Sequence, residues 1–301
     1  MGTLVAMRIP SPLFANLADH TYVQCGTGRK AWGCFGRKVG GTLLRQGPSS
    51  TAQADQIAGP DECAGITCYF INGVCHQAAN RILYPARFTV RGARGYSVSE
   101  SLYGPYGRPR GIFGLCRAPF ERHEDVSGDI PECRDVEPLK AGPIREIPAT
   151  LPEERAYLEK ALDIYSRVSD IRQGIMTFKT IDDDQFVDFQ LELFMHRVDF
   201  VFSSRLEETD AKAISEIRRN IEFKRLAIEG QFERNVLKPQ EFVEAIDQEV
   251  ATFQTEIANA LTPQLYKEFF GLKPGELVLL SDPEIIRRVY GSDDELPQPT
   301  R

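Results

Sequence analysis

The sequence contains no run of about 18 apolar residues, so nothing in it predicts a membrane-spanning helix. It also lacks a basic start followed by an apolar block. The first residues read MGTLVAMRIPSPLFANLADH, and we predict no signal peptide. Internal repeats are absent, which argues against a solenoid. We therefore expect a soluble protein that is either cytoplasmic or exported by a non-Sec route.

Cysteine is confined to the first part of the chain. All seven cysteines lie between residues 25 and 133, and their odd number and irregular spacing argue against a complete disulfide framework. One or two bridges plus a free thiol remain compatible with an exported protein. Cys63, Cys68 and Cys75 with His76 lack the close ligand pairs of common zinc sites, so we expect neither a metal nor a cofactor.

Acidic and basic residues are divided unevenly along the chain. Residues 1–118 hold 13 Lys+Arg and 5 Asp+Glu, a balance of +8, whereas residues 119–301 hold 23 and 38, a balance of −15. A basic first half suits an anionic substrate, a membrane surface, or docking on its own acidic partner, and we favour docking. No RNP-like or helix-turn-helix pattern accompanies the arginines, so we do not expect nucleic-acid binding.

Residues 1–118 predict an α+β domain with an antiparallel sheet. HTYVQCG alternates as a strand does, GTGRK is a hairpin loop rather than a phosphate-binding loop, and AWGCFGRKVGG is the return strand. We also predict strands in CAGITCYFINGV and RFTVRG, a Gly- and Tyr-rich loop after the latter, and a loop or short helix in GPSSTAQADQIAGPDE. Residues 119–149 are charged and rich in proline, which predicts a linker.

Residues 150–291 predict an all-α domain, followed by a frayed tail at 292–301. Four long helical patterns come first. TPQLYKEFFG then has Thr262 as N-cap, proline at the first helical position and Gly271 as the stop, and the same signals recur between Ser281 and Gly291. We interpret this acidic domain as a partner-binding or autoinhibitory module.

The stretch INGVCHQAANRIL, residues 71–83, is the main candidate for chemistry. Asn72-Gly73 predicts a turn, and the apolar residues that follow fall on one helical face, which places Cys75 in the first turn of a helix. Unpaired N–H groups and the positive end of the helix dipole stabilise a thiolate there, lower its pKa and bind an oxyanion. The alternative is a buried structural cysteine, which is the commoner state of this residue.

A thiolate nucleophile needs a base, and the sequence offers only four histidines. His76 follows Cys75 directly, so on a helix its side chain points about 100° away from the thiol. His123 lies in the predicted linker and His196 in a predicted helix, where a solvated or packed histidine is expected. His20 remains as the candidate, because it begins the strand HTYVQC and can be held rigidly against a neighbouring helix terminus.

A histidine at the start of a strand, followed by further strands and then a cysteine at a helix N-terminus, resembles the circularly permuted NlpC/P60 branch of the papain-like cysteine hydrolases. The order of His20 before Cys75 is that of the permuted branch, and the resemblance covers roughly residues 15–115. It implies a papain-like domain with Cys75 as nucleophile and His20 as general base. The family's orienting polar residue usually lies on the next strand, but AWGCFGR offers only Trp32 and Cys34, so that role stays unassigned.

The resemblance implies a cysteine hydrolase that cleaves an amide through a Cys75 thioester, as a peptidase or amidase on peptides or bacterial cell-wall (peptidoglycan) fragments. A lipid acyltransferase or phospholipase of the same superfamily is the alternative, and the basic first half is its only support. A bacterial effector toxin with this chemistry is a third hypothesis. The competing class is a non-enzymatic interaction protein with a degenerate catalytic fold, which binds a protein partner through its acidic helices.

Overall fold

A four-stranded antiparallel sheet forms the first part of the structure. The computed structural model describes residues 2–10, 17–28, 30–34, 36–59, 64–66, 68–109, 152–172, 175–179 and 181–291. The strands are β1 (Gly2–Ile9), β2 (His20–Cys25), β3 (Ala31–Trp32) and β4 (Thr42–Ser49), in the order β3-β2-β1-β4. The predicted strand at HTYVQC and its hairpin are confirmed, and the return strand is only two residues long.

β1 lies in the interior of the sheet and is buried on both faces. Leu4 and Ala6 contribute to the cluster under the helices, whereas Val5 and Met7 pack with Tyr22 on the opposite face. A strand buried on both sides carries a continuous apolar run instead of an alternating one. The sequence analysis missed β1 for this reason, and it also missed β4.

Three helices accompany the sheet: α1 (Thr51–Ala58), α2 (Cys75–Leu83), which a short 3-10 turn (Tyr84–Ala86) continues, and α3 (Tyr96–Tyr103). The strands predicted in CAGITCYFINGV and RFTVRG are wrong. The described residues of the first form turns, in which Phe70 has a φ of +72°. In place of the predicted loop after the second, α3 begins and ends at glycines with positive φ, Gly95 and Gly104, where a Cβ would be strained.

The second half is mostly helical, as predicted. It contains α4 (Pro152–Ser166), α5 (Asp183–Phe202), a 3-10 turn (Ser203–Arg205), α6 (Glu208–Glu233), α7 (Pro239–Ala260), α8 (Pro263–Phe270) and α9 (Pro283–Tyr290). Thr262 caps α8 by accepting the N–H of Leu265 at 3.3 Å, and Gly271 ends it with a φ of +72°. These are the predicted cap and stop.

The prediction of an all-α domain is wrong in one place, because a hairpin follows α4. Its strands are β5 (Ser169–Arg172) and β6 (Ile175–Phe178). The hydroxyl of Ser169 donates to the main-chain oxygen of Tyr165 at 2.7 Å, and α4 ends at Ser166, four residues before the end of the predicted helical stretch LPEERAYLEKALDIYSRVSD. β-branched residues in both strands favour the extended conformation.

The two halves share one hydrophobic core. Residues of the first half, such as Phe70 and Leu102, lie in the same buried cluster as Phe194, Phe253 and Ile285 of the second half. Ion pairs also join the halves: Arg45–Glu154, Arg94–Glu276, Arg108–Glu222, Arg108–Glu229 and Arg197–Glu100. The basic first half therefore docks on the acidic second half, which is the reading that we favoured.

The predicted linker at 119–149, with His123, and the tail at 292–301 lie outside the described residues. Among the helices of the described chain, none combines the length and the apolar character that crossing a membrane requires.

Candidate active site

α2 begins at Cys75, after the predicted Asn-Gly turn. The side-chain oxygen of Asn72 accepts the N–H of Cys68 at 3.2 Å and stabilises the turn. Val74 is extended, and its N–H donates to the side-chain oxygen of Gln77, the third residue of the helix, at 3.2 Å. These bonds fix the point at which the helix starts, so Cys75 is its first residue.

The polar residues of α2 are buried together with its apolar face, which the sequence did not indicate. The segment 96–106 packs over them, and its main-chain oxygens accept their hydrogen bonds: Gln77 to Gly104 at 3.1 Å, Asn80 to Pro105 at 2.7 Å and Arg81 to Tyr106 at 2.6 Å. Because the whole circumference of the helix is packed, its first turn is held in a fixed position.

The thiol of Cys75 is buried, with 4% of the residue exposed. Its sulfur lies 3.8 Å from the main-chain oxygen of Asp19, to which the thiol donates. Burial raises the pKa of Cys75 to about 12, and the charge of Asp282 adds to this; hydrogen bonds from Thr21 and from the His76 N–H act in the opposite direction. The expected lowering of this pKa by the helix terminus is therefore wrong for the closed pocket, because desolvation outweighs it.

His20 is the first residue of β2, as predicted, and its side chain is buried. The loop at Gly36 packs against one part of the imidazole so closely that a Cβ there would lie 2.5 Å from its Cε1 atom. A carboxylate oxygen of Asp282, at the start of α9, lies 3.8 Å from Nδ1. The ring is therefore held between a loop of the sheet and a helix terminus of the second half.

Cys75 and His20 line the same pocket, although they are 55 positions apart in the sequence. The pocket has a volume of about 10 Å³, which is close to the smallest space that holds one water molecule. Its walls come from the start of β2 and the chain before it, the turn at Tyr69, the start of α2 and the chain before α9: Ala18, Asp19, His20, Tyr69, Val74, Cys75, His76, Leu280, Ser281 and Asp282. The structure thus brings both predicted site residues to one narrow pocket.

Residues 278–281, which we call the covering segment, lie over this pocket, and Asp282, which follows them, is fixed separately at the start of α9. The main-chain oxygen of Leu279 accepts the N–H of Ala18 at 2.9 Å, and that of Leu280 accepts the hydroxyl of Tyr69 at 3.3 Å. The covering segment is thereby attached to the two chain segments that flank the site.

The covering segment is also attached to α7. The side chain of Gln254 bonds both to the N–H of Val278, at 3.0 Å, and to its oxygen, at 2.9 Å. Ser281 forms hydrogen bonds to the carboxylate of Asp247. Burial raises the pKa of Asp247 to about 6, although these hydrogen bonds act in the opposite direction. The helical half therefore holds the cover in place from the outer side.

His76 has a structural role, in agreement with its exclusion as the base. Its Nε2 lies 3.0 Å from the main-chain oxygen of Asp19, and its Nδ1 lies 2.7 Å from the hydroxyl of Ser99. A carbonyl oxygen only accepts, so we assign the proton of the neutral ring to Nε2. Burial lowers the pKa of His76 to about 3, and the ring stays neutral at physiological pH.

The sequence analysis missed three polar neighbours of the pair. Asp19 accepts from both Cys75 and His76, Tyr69 lies in the pocket wall, and Asp282 faces His20. The only sequence signal for Asp282 was the helix start in SDPEIIRRVYG, which describes a cap and does not indicate a contact with β2.

The described residues show no metal-binding group. Within these ranges no three His, Cys, Asp or Glu side chains are arranged to hold a metal ion. Cys68 is disulfide-bonded, whereas Cys25, Cys34 and Cys75 are buried thiols. Cys63 lies outside the described residues.

A larger cavity, of about 200 Å³, lies between α7, α8 and residues 274–277 and shares no lining residue with this pocket. Its lining contains no cysteine, histidine or carboxylate. Size alone would select this cavity, but the groups capable of acid–base or nucleophilic chemistry lie at the smaller one, which we take as the candidate site.

Comparison of the chain with protein-family models, with curated proteins and with solved structures gives no match.

Proposed function

We propose that the chain is a cysteine hydrolase that cleaves an amide through a Cys75 acyl-enzyme, with His20 as the general base. One observation carries this proposal: the first residue of α2 and the first residue of β2 line the same pocket. A thiol at a helix N-terminus beside an imidazole is the arrangement that nucleophilic cysteine catalysis uses. The order of the two residues along the chain also supports a permuted papain-like fold.

The reaction follows from this pair. His20 accepts the thiol proton of Cys75, and the sulfur attacks the carbonyl carbon of the amide while N–H groups at the start of α2 stabilise the oxyanion. The C–N bond breaks as His20 gives the proton to the leaving nitrogen, and a thioester remains. Water then attacks the thioester with His20 as base, and the returned proton restores the thiol as the acid leaves.

The proposal includes an opening step before chemistry. A pocket of about 10 Å³ holds no peptide, and the buried thiol, whose pKa is about 12, is neutral in the closed form. Movement of the covering segment would admit the substrate and expose the sulfur to water. The helical half then acts as the autoinhibitory module, as one of our two sequence interpretations has it.

Among substrates, we favour a peptide or a peptidoglycan fragment over a lipid. The lipid alternative depended on the basic charge of the first half, but Arg45, Arg94 and Arg108 pair with carboxylates of the second half. The two substrate classes are compared directly by incubating peptidoglycan fragments and phospholipids with the wild-type chain and with Cys75→Ala.

The catalytic pair is tested by the rate at which iodoacetamide labels each cysteine of the full chain near neutral pH. Cys25 and Cys34 serve as internal references, because both are buried thiols. We expect His20→Gln to slow labelling of Cys75 at least tenfold relative to these references, since a general base contributes about 10²–10⁴-fold. The control, His196→Gln, removes a histidine of α5 that bonds to the oxygen of Tyr157 and should leave the ratio unchanged.

The second candidate function is a non-catalytic interaction module, and the burial of Cys75 together with its raised pKa favours it. In that case Cys75 is a structural cysteine of the core. Labelling of Cys75 would then be as slow as that of Cys34, and His20→Gln would not change it. This outcome would remove the basis of the hydrolase proposal.

A further inference from the structure

The carboxylate of Asp282 is placed to act on the imidazole of His20. One of its oxygens lies 3.8 Å from Nδ1 of the ring. The side chain of Asp282 is 27% exposed and that of His20 is 7% exposed. The main chain at Gly36 also packs against the ring and leaves no room for a Cβ. A carboxylate and a loop thus limit the orientations available to the ring.

Asp282 is itself held in one orientation. Its Oδ1 accepts the N–H of Ile285 at 3.3 Å and its main-chain oxygen accepts the N–H of Ile286 at 2.8 Å, which makes it the N-cap of α9. Ile285 is fully buried in the core that both halves share. Because one carboxylate oxygen caps the helix, the other is directed at His20.

The charge of Asp282 has opposite effects on the two members of the pair. It stabilises the imidazolium that forms when His20 takes the thiol proton, but it disfavours the thiolate of Cys75. The other groups at the pocket do not replace it. His76 is neutral, Tyr69 is an un-ionised phenol, and the carboxylate of Asp19 accepts hydrogen bonds from Arg8 and from the N–H of Arg94.

We propose that Asp282 is the positioning residue of His20, so that the start of α9, in the helical half, completes the site formed by β2 and α2. This assignment rests on the proposed function. Asp282 would orient the imidazole, a role for which the strand AWGCFGR offers no residue. Its position in the second half also gives a reason for the docking of the two halves. The helical half then supplies part of the site in addition to its cover.

The test is the titration of the four histidine rings by NMR in the full chain, with the His20 signals assigned from His20→Gln. In Asp282→Asn, which keeps a capping side chain but loses the charge, we expect the titration midpoint of His20 to fall by about one pH unit. We also expect labelling of Cys75 by iodoacetamide to slow about tenfold. Asp282→Ser, which also caps, should give the same shift and replaces Asp282→Asn if that variant folds poorly.

The matched control is Asp182→Asn. Asp182 caps α5 by accepting the N–H of Gln185 at 2.8 Å, so the same chemical change is made at a helix start away from the pocket. This variant should leave the midpoint of His20 and the labelling of Cys75 unchanged. If Asp282 had only a structural role, its substitution would lower the stability of the protein without moving the titration midpoint of His20.

The outcomes separate this inference from the proposed function. An unchanged His20 midpoint in both Asp282 variants, or faster labelling of Cys75, overturns the positioning role even if labelling still depends on His20. A lowered midpoint in a chain whose Cys75 is labelled independently of His20 supports the contact between the two residues but overturns the catalytic pair.

Discussion

The sulfur of Cys75 lies 3.8 Å from the main-chain oxygen of Asp19, the residue that directly precedes His20. The same oxygen accepts the Nε2–H of His76 at 3.0 Å. One carbonyl group therefore joins the start of β2 to the start of α2. This junction explains how two residues far apart in the sequence come to the same pocket.

The first prediction concerns the covering segment. Gln254→Leu removes both side-chain bonds to Val278, so we expect the segment to open more often and iodoacetamide to label Cys75 at least threefold faster relative to Cys25. A buried main-chain N–H and C=O lose their partners in this variant, at a cost of about 1–3 kcal/mol each. Peptide mapping by mass spectrometry measures the labelling.

The control for this variant is Gln248→Leu, a change at an exposed position of the same helix, where the side chain bonds to Thr252. It should leave the labelling ratio as in the wild type. Equal acceleration at Cys75 and Cys25 in Gln254→Leu would mean general loosening of the fold, and the covering role would be rejected.

The second prediction concerns Asp247, the partner of Ser281. Burial raises its pKa to about 6 from an ordinary value of 3.8, so the folded state keeps the proton to a higher pH than the unfolded state does. Stability is therefore full below about pH 4 and falls as the pH rises from 4 to 6. Asp247→Asn should remove this loss and stabilise the protein at pH 7 by about 1–2 kcal/mol.

Urea unfolding of wild type and Asp247→Asn across pH 4–8 measures this effect. The two stabilities should differ least at pH 4 and diverge up to about pH 6. A lower stability of Asp247→Asn at pH 7 would show that the ionised carboxylate is the form that the fold requires.

The fold was predictable where a local signal determined the structure. The stretch HTYVQC predicted a strand, and a cap, a first-position proline and a glycine stop predicted α8; both elements lie at the expected residues. β1 carries an unbroken apolar run because both of its faces are covered, and that pattern has no distinguishing period. The hairpin after α4 begins in the last two residues of the predicted helical stretch and continues through residues for which no element was predicted.

The site was predictable in part. The turn at Asn72-Gly73 and the strand start at His20 located the two chemical groups, because each is a feature of the local sequence. The burial of Cys75 and the approach of Asp282 depend on packing between segments more than 200 residues apart, which no local pattern encodes. The pKa of the thiol was therefore predicted in the wrong direction.

The third prediction concerns His76, whose pKa burial lowers to about 3. The neutral ring contributes its full stabilisation above pH 6.5, the ordinary pKa of histidine. This stabilisation is lost as the pH falls toward 3, because in this range only the unfolded state gains the proton. His76→Asn should be less stable than the wild type by about 1–3 kcal/mol at pH 7.5, since Asp19 and Ser99 lose a partner.

The difference in the free energy of unfolding between the wild type and His76→Asn should shrink by about 1.4 kcal/mol for each pH unit below 6.5, because asparagine does not titrate. Urea unfolding at pH 7.5, 6.5 and 5.5 measures it. A difference that stays constant over this range would mean that His76 takes up its proton at the same pH in the folded and unfolded states, and its lowered pKa would be rejected.

The last prediction concerns the buried charges that join the two halves. Glu222 bonds to Arg108 of the first half and to Arg218 at 2.6 Å, and both arginines are fully buried. Burial raises the pKa of Glu222, but the charges of Arg108, Arg218 and Arg225 outweigh this and lower it to about 2. The carboxylate therefore contributes stability above its ordinary pKa of 4.5 that is lost as the pH falls through 2.

Glu222→Gln leaves these arginines with one buried carboxylate fewer, so we expect a loss of about 3–5 kcal/mol in the free energy of unfolding at pH 7. Glu192→Gln, which breaks an exposed pair with Arg167, should cost about 0–1 kcal/mol in the same urea titration. Arg108 also donates its N–H to the oxygen of Asn72 at 2.8 Å, in the turn before Cys75. Faster labelling of Cys75 should therefore accompany the loss in Glu222→Gln but not in Glu192→Gln, and equal labelling in both would separate this network from the site.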